Sequence, residues 1–218
     1  MFALRVSVTT QHLFGTVQSG PTEYNEMNID VPLRDLGEID VAPLRDLILA
    51  QEDATWHEDE YRQKSYDVHL QTQSIVMIFT DGSNWPNPEI RKEPGWERLQ
   101  ELAVPIMDKI IADHYPAGGT IIRAMAAKLL AGGKITPHHD GHPSFHSGHR
   151  IHIPITTNPR VRFMIDGRPY QFEVGRIYEI NNQMQHSVMN KGKDDRITFI
   201  FDYVPPGPLA HPGAAAAK

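Results

Sequence analysis

His138 and Asp140, a histidine and a carboxylate two residues apart, are the residues of this sequence best placed to do chemistry. In an extended strand, side chains two apart point to the same side. A strand here would turn His138 and Asp140 one way together and His139 the other. With His186 arriving from a later segment, the three make a 2-His-1-carboxylate set, which holds one face of an Fe(II) ion and leaves three cis positions open. The chain has no cysteine, so a metal must be held by His, Asp or Glu, which favours a catalytic N/O site over a structural zinc. A plainer reading stands beside this one. His138 and Asp140 come just before Gly141, in a region crowded with His139, His142, His146 and His149, as in a solvated surface turn. His186, taken alone, fits a hydrogen-bonded structural histidine.

Two arginines shift the balance towards a pocket. Arg196 and Thr198 share a strand face with Ile200 and Asp202, while Ile197, Phe199, Phe201 and Tyr203 form the apolar face. A guanidinium fork and a hydroxyl side by side suit the far carboxylate of a dicarboxylate. The alternative is a surface pair of Arg196 with Asp194 or Asp195. Residues 150–155 repeat the design, with Arg150, His152 and Pro154 on one face and Ile151, Ile153 and Ile155 on the other. Two such strands describe a barrel with a charged interior, although a solvated edge strand shows the same alternation.

The elements that must position these groups follow from the rest of the chain. At 218 residues with 40% hydrophobic and 22% charged residues, it suits one globular domain with a sizeable core. A net charge of −6 argues against general nucleic-acid binding. Residues 1–10 lack the apolar stretch of a secretory signal, and no apolar run approaches the ~18 residues of a membrane span, so the expected location is cytoplasmic.

Residues 3–9 alternate like a strand. The pentapeptide Pro-Leu-Arg-Asp-Leu occurs at 32–36 and again at 43–47, which reads as coincidence because repeat arrays need more copies at a longer period. Asp40 and Pro43 mark the start of a helix to residue 50. A strand is expected over 68–79, then a loop carrying Pro86, Pro88 and Pro94, then a helix over 96–115 that Pro105 should kink or break. Residues 120–130 read as a strand by context, though their alanines favour helix. Further strands are expected at 134–140, 150–156, 176–180 and 196–204, with a hairpin of 162–165 and 170–174 around Asp166-Gly167. This is a mainly β fold with flanking helices, of sandwich or jelly-roll type. The expected division is a flank over 1–115 packed on the barrel, a core over 116–206, and a flexible tail over 207–218.

The order His138-x-Asp140, Arg150-Ile-His-Ile-Pro-Ile, Glu179-Ile-Asn-Asn, His186, then Asp195-Arg196-Ile-Thr resembles the aspartyl/asparaginyl β-hydroxylase branch of the Fe(II)/2-oxoglutarate-dependent oxygenases, over about 126–203. The resemblance implies a cupin-like double-stranded β-helix with His138, Asp140 and His186 as iron ligands. It implies 2-oxoglutarate as co-substrate beside O2, with Arg196 on its distal carboxylate and Thr198 assisting. Arg150 and His152 would lie in the cavity, on either the co-substrate's metal-side carboxylate or a substrate carboxylate. The implied reaction is hydroxylation of an unactivated C–H, giving succinate and CO2, on an amino acid or a peptide or protein side chain. Vertebrate members that modify secreted domains carry glycine where this chain has Asp140, so it looks like a compact bacterial or phage-type relative. Trp56, Arg62, Tyr66, His69 and Thr72 would belong to a flank over the barrel mouth, and Arg150 with Lys128 would favour an anionic or zwitterionic substrate. Two alternatives stand: a cupin-type isomerase or epimerase, for which His186-x3-Asn190 echoes a second cupin motif, and a non-catalytic binding module on the same barrel.

Overall fold

The computed structural model describes residues 29–58, 70–207 and 209. The expected strand at 3–9, the residues Arg62, Tyr66 and His69, and nearly all of the 207–218 tail lie outside these. In chain order the elements are β1 (Leu33–Glu38), α1 (Ala42–Leu49), a 3-10 turn (Asp53–His57), β2 (Thr72–Phe79), β3 (Arg91–Lys92) and α2 (Gly95–His114). Then follow β4 (Thr120–Leu129), β5 (Lys134–His138), the short α3 (Pro143–His146), β6 (His149–Thr156), β7 (Val161–Ile165), β8 (Arg168–Tyr170), β9 (Arg176–Ile180), β10 (His186–Asn190) and β11 (Arg196–Val204).

The strands form two antiparallel sheets, ordered β1-β9-β6-β11-β4-β2-β3 and β5-β10-β7-β8. This is the expected mainly β jelly roll, a double-stranded β-helix with helices on one side. The side-chain alternation of the large sheet explains the layering. Ile151, Ile153, Phe199 and Phe201 point to one side and pack on Leu44 and Ile48 of α1 and on Leu99, Ala103, Met107 and Ile110 of α2. Each of these side chains larger than alanine, taken fully from water, contributes roughly 1.5–3 kcal/mol. Between the sheets a second cluster includes Leu129, Phe163, Phe172, Tyr178, Ile180 and Val188, with Phe172 stacked on both Phe163 (4.6 Å) and Tyr178 (4.3 Å).

Several local expectations hold for the stated reasons. Asp40 lies one residue before the N-cap, Val41, and its carboxylate accepts the Ala42 amide at 2.9 Å in the turn that leads into α1. Asp166 and Gly167 have φ of 49° and 72°, the two left-handed residues that a tight hairpin turn requires, and Ile165 pairs with Arg168 across it. The second hairpin strand is therefore β8, not residues 170–174. Residues 120–129 form a strand despite their alanines, because β11 and β2 flank them on both sides. α2 runs unbroken through Pro105, which sits on the exposed side where the carbonyl it strands can meet water. Residue 95, the first of α2, must be glycine, because a Cβ there would stand 2.3 Å from the Val76 carbonyl oxygen. The two Pro-Leu-Arg-Asp-Leu copies fold differently, one entering β1 and the other α1, as expected of a coincidence. Among the described residues, no helix is long and apolar enough to cross a membrane.

Candidate active site

The two histidines of the sequence pattern meet through the small sheet. His138 ends β5, His186 begins β10, and the two are direct partners in the register, with ring centroids 4.3 Å apart. A backbone carbonyl fixes each ring: Nδ1 of His138 lies 2.8 Å from the Thr136 oxygen, and Nδ1 of His186 lies 3.0 Å from the Met184 oxygen. A carbonyl can only accept, so Nδ1 carries the proton in both rings and the lone pair is on Nε2. Asp140 completes the group. One ligand atom from each of His138, Asp140 and His186 lies within 4.8 Å of the others. Burial lowers the pKa of His186 to about 4, with the neighbouring His138 adding to this, so its imidazole is neutral and ready to donate at neutral pH.

Asp140 reaches this position by another route than strand alternation. β5 stops at His138, and Asp140 lies two residues beyond it. Its amide donates to the Asn182 carbonyl at 3.0 Å, and its Oδ2 accepts from Nη1 of Arg150 at 2.6 Å. Its Oδ1 stands 3.9 Å from Nε2 of His138.

The cavity beside the triad is lined by Thr72, His138, Arg150, His152, His186 and Arg196 among others. Larger hollows exist, one of about 520 Å³ on the outer face of the small sheet, but none of those residues belongs to it. Arg196 is 4% exposed and lies over the Phe163 ring, with its guanidinium 5.8 Å from the ring centroid. Its surface pairing with Asp194 or Asp195 does not occur: Asp195 instead accepts the Ala131 amide, and no carboxylate is in ion-pair range of Arg196 among the described residues. Its Nη2 and the Thr198 hydroxyl, both buried, have no hydrogen-bond partner among the described residues. Burial alone brings the Arg196 pKa down to about 10, so the group is still a cation at neutral pH. A buried cation and a buried hydroxyl without partners, side by side on β11, are costly unless an anion joins them.

Arg150 and His152 also line the cavity, and their settings differ from that of Arg196. Arg150 donates Nε to Oδ1 and Nη2 to Oδ2 of Asp202, both at 2.8 Å, and gives its remaining arm to Asp140. His152 is buried with its ring edge-on to Phe163 and Phe172.

Other histidines have structural roles. His142 caps α3 by accepting the Ser144 amide, and packs where a Cβ on Gly82 would stand 2.4 Å from its ring. His149 points to the helix side, 2.5 Å from the buried Glu179 carboxylate. His139 is exposed. Asn190 spans the Leu129, Leu130 and Asp194 carbonyls, which explains the His186-x3-Asn190 echo as a loop clamp. Two expectations need correction. Lys128 borders the cavity along β4, but its ammonium lies on the helix side, 3.9 Å above the Trp56 ring. Trp56 is accordingly part of the helix-side core and does not cover the barrel mouth.

Sequence reasoning missed Arg123 and gave Asp202 no role. Arg123 is buried between the Thr80 carbonyl, the Ser144 hydroxyl and Asp202. Alternation along 120–130 places it on the cavity face with Met125, Ala127 and Leu129, and Asp202 shares its face with Arg196 and Thr198.

The chain resembles solved structures at low identity. An oxidoreductase of the 2OG-Fe(II) oxygenase family from Burkholderia pseudomallei superposes with a TM-score of 0.55 at 15% identity, over 80% of this chain and 85% of that one. A prolyl hydroxylase from Trichoplax adhaerens, in complex with a hypoxia inducible factor oxygen degradation domain peptide fragment, gives 0.52 at 12% identity over 79% and 83%. A non-heme monooxygenase, ThoJ in a nickel complex, gives 0.50 at 12% identity over 82% and 76%. At these identities the likeness establishes a shared fold. No curated protein sequence matches the chain. The model of the aspartyl/asparaginyl β-hydroxylase family, however, matches residues 45–206, from within α1 through β11 and so across every group of the site; the chain belongs to this hydroxylase family.

Proposed function

We propose that the protein is an Fe(II)- and 2-oxoglutarate-dependent dioxygenase that hydroxylates an unactivated C–H of an amino acid or an amino-acid side chain. One observation carries the reading: a two-histidine, one-carboxylate cluster shares its cavity with a buried arginine that no carboxylate of the described residues neutralises. The donor set fits a divalent iron, because two neutral imidazoles and one carboxylate leave positions for co-substrate and O2. The orphaned Nη2 of Arg196 and hydroxyl of Thr198 fit the distal carboxylate of a keto-diacid.

In this reading His138, Asp140 and His186 hold the metal, each imidazole through Nε2. Arg196 and Thr198 orient the co-substrate from the far end of the cavity. Arg150 and His152 form the wall nearest the metal, and Phe163 and Val188 exclude water around it. The bound iron supplies the oxidation, in which 2-oxoglutarate, O2 and R–H become succinate, CO2 and R–OH. A hydroxylase family and a structural neighbour holding a peptide support an amino-acid, peptide or protein substrate. The catalytic part is residues 116–206, with 1–115 as a flank supporting it. The absence of cysteine suits a reducing, cytoplasmic setting.

The test is succinate release with Fe(II), 2-oxoglutarate and a panel of free amino acids and peptides, alongside thermal unfolding with each ligand. Both ligands are expected to raise Tm in the native protein, and His186→Ala is expected to lose the metal-dependent rise. If neither Fe(II) nor 2-oxoglutarate shifts Tm and no succinate forms, the reading is wrong.

A further inference from the structure

Asp202 is 2% exposed near the C-terminal end of β11, the strand flanked by β6 and β4. The register therefore sets Arg150 on one side of it and Arg123 on the other. These two neighbours are not equivalent. Arg123 is satisfied elsewhere, donating Nε to the Thr80 carbonyl at 3.1 Å and Nη2 to the Ser144 hydroxyl at 3.0 Å, and it meets Asp202 only at 3.4 Å. Arg150 meets the same carboxylate with two donors at 2.8 Å each. A two-point contact between planar groups fixes the guanidinium in position and in plane. Its third arm, Nη1, can then point only one way, and it reaches Oδ2 of Asp140 at 2.6 Å.

We infer that Asp202 is a positioning residue for metal binding: by fixing Arg150, it makes that arginine occupy one oxygen of Asp140 and leave only the other, Oδ1, to a metal. Asp140 needs such a device because it lies beyond the end of β5, outside the strand ladder, with its amide on the Asn182 carbonyl. Left unrestrained, its carboxylate would be able to rotate and offer both oxygens, taking a coordination position that co-substrate or O2 requires. The chain Asp202–Arg150–Asp140 thus runs from the middle strand to the metal site and keeps the aspartate one-pointed. This inference rests on the reading of His138, Asp140 and His186 as metal ligands.

The experiment uses full-length protein and Co(II), a spectroscopic stand-in whose visible absorption reports coordination number and geometry. Co(II) affinity and spectrum are measured by titration for the native chain, Asp202→Asn, Arg150→Lys, Arg123→Gln and His186→Ala. Asp202→Asn is expected to weaken Co(II) binding about 10–100-fold, the usual effect of losing an outer partner of a ligand. It should also change the absorption as Asp140 gains freedom to bind through both oxygens. Arg150→Lys keeps the charge but cannot bridge both carboxylates, and is expected to behave alike, which keeps the test available should Asp202→Asn fail to fold. Arg123→Gln removes a comparable buried charge and with it only the longer, 3.4 Å contact to Asp202, leaving both donors of the Arg150 fork in place. It is expected to lower Tm while Co(II) affinity stays within about twofold, which separates positioning from loss of stability. Native Co(II) affinity and spectrum in folded Asp202→Asn or Arg150→Lys would overturn the inference alone. Equal Co(II) binding by the native chain and His186→Ala would overturn the metal site, and the inference with it.

Discussion

Arg150 and Arg196 share the cavity face of the large sheet with Arg123, lie at opposite ends of the cavity and are stabilised in contrary ways. Arg150, whose side chain is 16% exposed, is surrounded by acid: burial opposes its charge, but Asp202 and Asp140 outweigh that and raise its pKa. Arg196, 4% exposed, has no carboxylate partner among the described residues, and burial acts on it unopposed. The first is a finished structural unit that neutralises itself. The second is an unfinished one, completed only when an anion enters. A single cavity thus has a self-sufficient end beside the metal ligands and a ligand-dependent end away from them. The difference teaches that burial by itself does not mark a binding residue, whereas burial without a partner does.

The largest expected consequence falls on the finished end. Arg150→Met removes the main partner of Asp202 and the guanidinium that holds Oδ2 of Asp140. Asp202 would then depend on Arg123, at 3.4 Å and already shared with two other acceptors. Breaking such an arrangement from one side costs about 3–5 kcal/mol, because the remaining charge stays buried. Urea unfolding of the metal-free protein measures this. A loss below about 1 kcal/mol would mean that water reaches Asp202 and that this end is not the closed unit described.

At the unfinished end the sign reverses. Arg196→Met replaces an unpaired buried cation with an apolar chain of similar reach, next to Phe163. The ligand-free variant is expected to gain stability, on the order of 1–3 kcal/mol. The native protein, in turn, gains from 2-oxoglutarate by about 2.7 kcal/mol at a hundred times Kd, and the variant should gain almost nothing. The two unfolding curves therefore cross: the variant is the more stable without co-substrate and the less stable with it. A variant that is destabilised in both conditions would show that Arg196 has a structural partner after all and would erase the contrast.

How much of this was legible beforehand depends on whether periodicity governed the residue in question. Arg196, Thr198, Arg150 and His152 sit inside long strands, where alternation fixes the face, and their faces were read correctly. The jelly roll was legible for the same reason, from short alternating runs and the Asp166-Gly167 turn. Asp140 was paired with His138 by an alternation that stops two residues too early, and its placement comes from tertiary contacts with Asn182 and Arg150. β1 and β10 were not anticipated, because Leu33–Glu38 and His186–Asn190 are short and strand only through their neighbours β9, β5 and β7. Lys128 is harder to place, because the sequence does not say which face of residues 120–130 meets the cavity; one step of alternation turns its ammonium towards Trp56. Arg123 stands on the cavity face of that same segment, and its role appears only when β11 brings Asp202 opposite.

The smallest effect comes from acid, and it bears on the finished end alone. Burial pushes the Asp202 carboxyl upward, yet Arg150 and Arg123 outweigh this and leave its pKa below the ordinary 3.8. A carboxylate whose folded pKa is depressed adds stability above its unfolded value, and that stability is lost as pH falls through the folded one. Below about pH 4, then, the native chain should lose stability relative to Asp202→Asn, at up to about 1.4 kcal/mol per pH unit for a single proton. The arginines on either side stay charged throughout, so no second titration in the pair masks the slope. Unfolding free energies of both chains between pH 5 and pH 2 give the difference directly, and shared contributions from exposed carboxylates such as Asp81 and Asp113 cancel in it. Parallel curves would mean that Asp202 titrates alike folded and unfolded, which is incompatible with a carboxylate fixed between two guanidiniums.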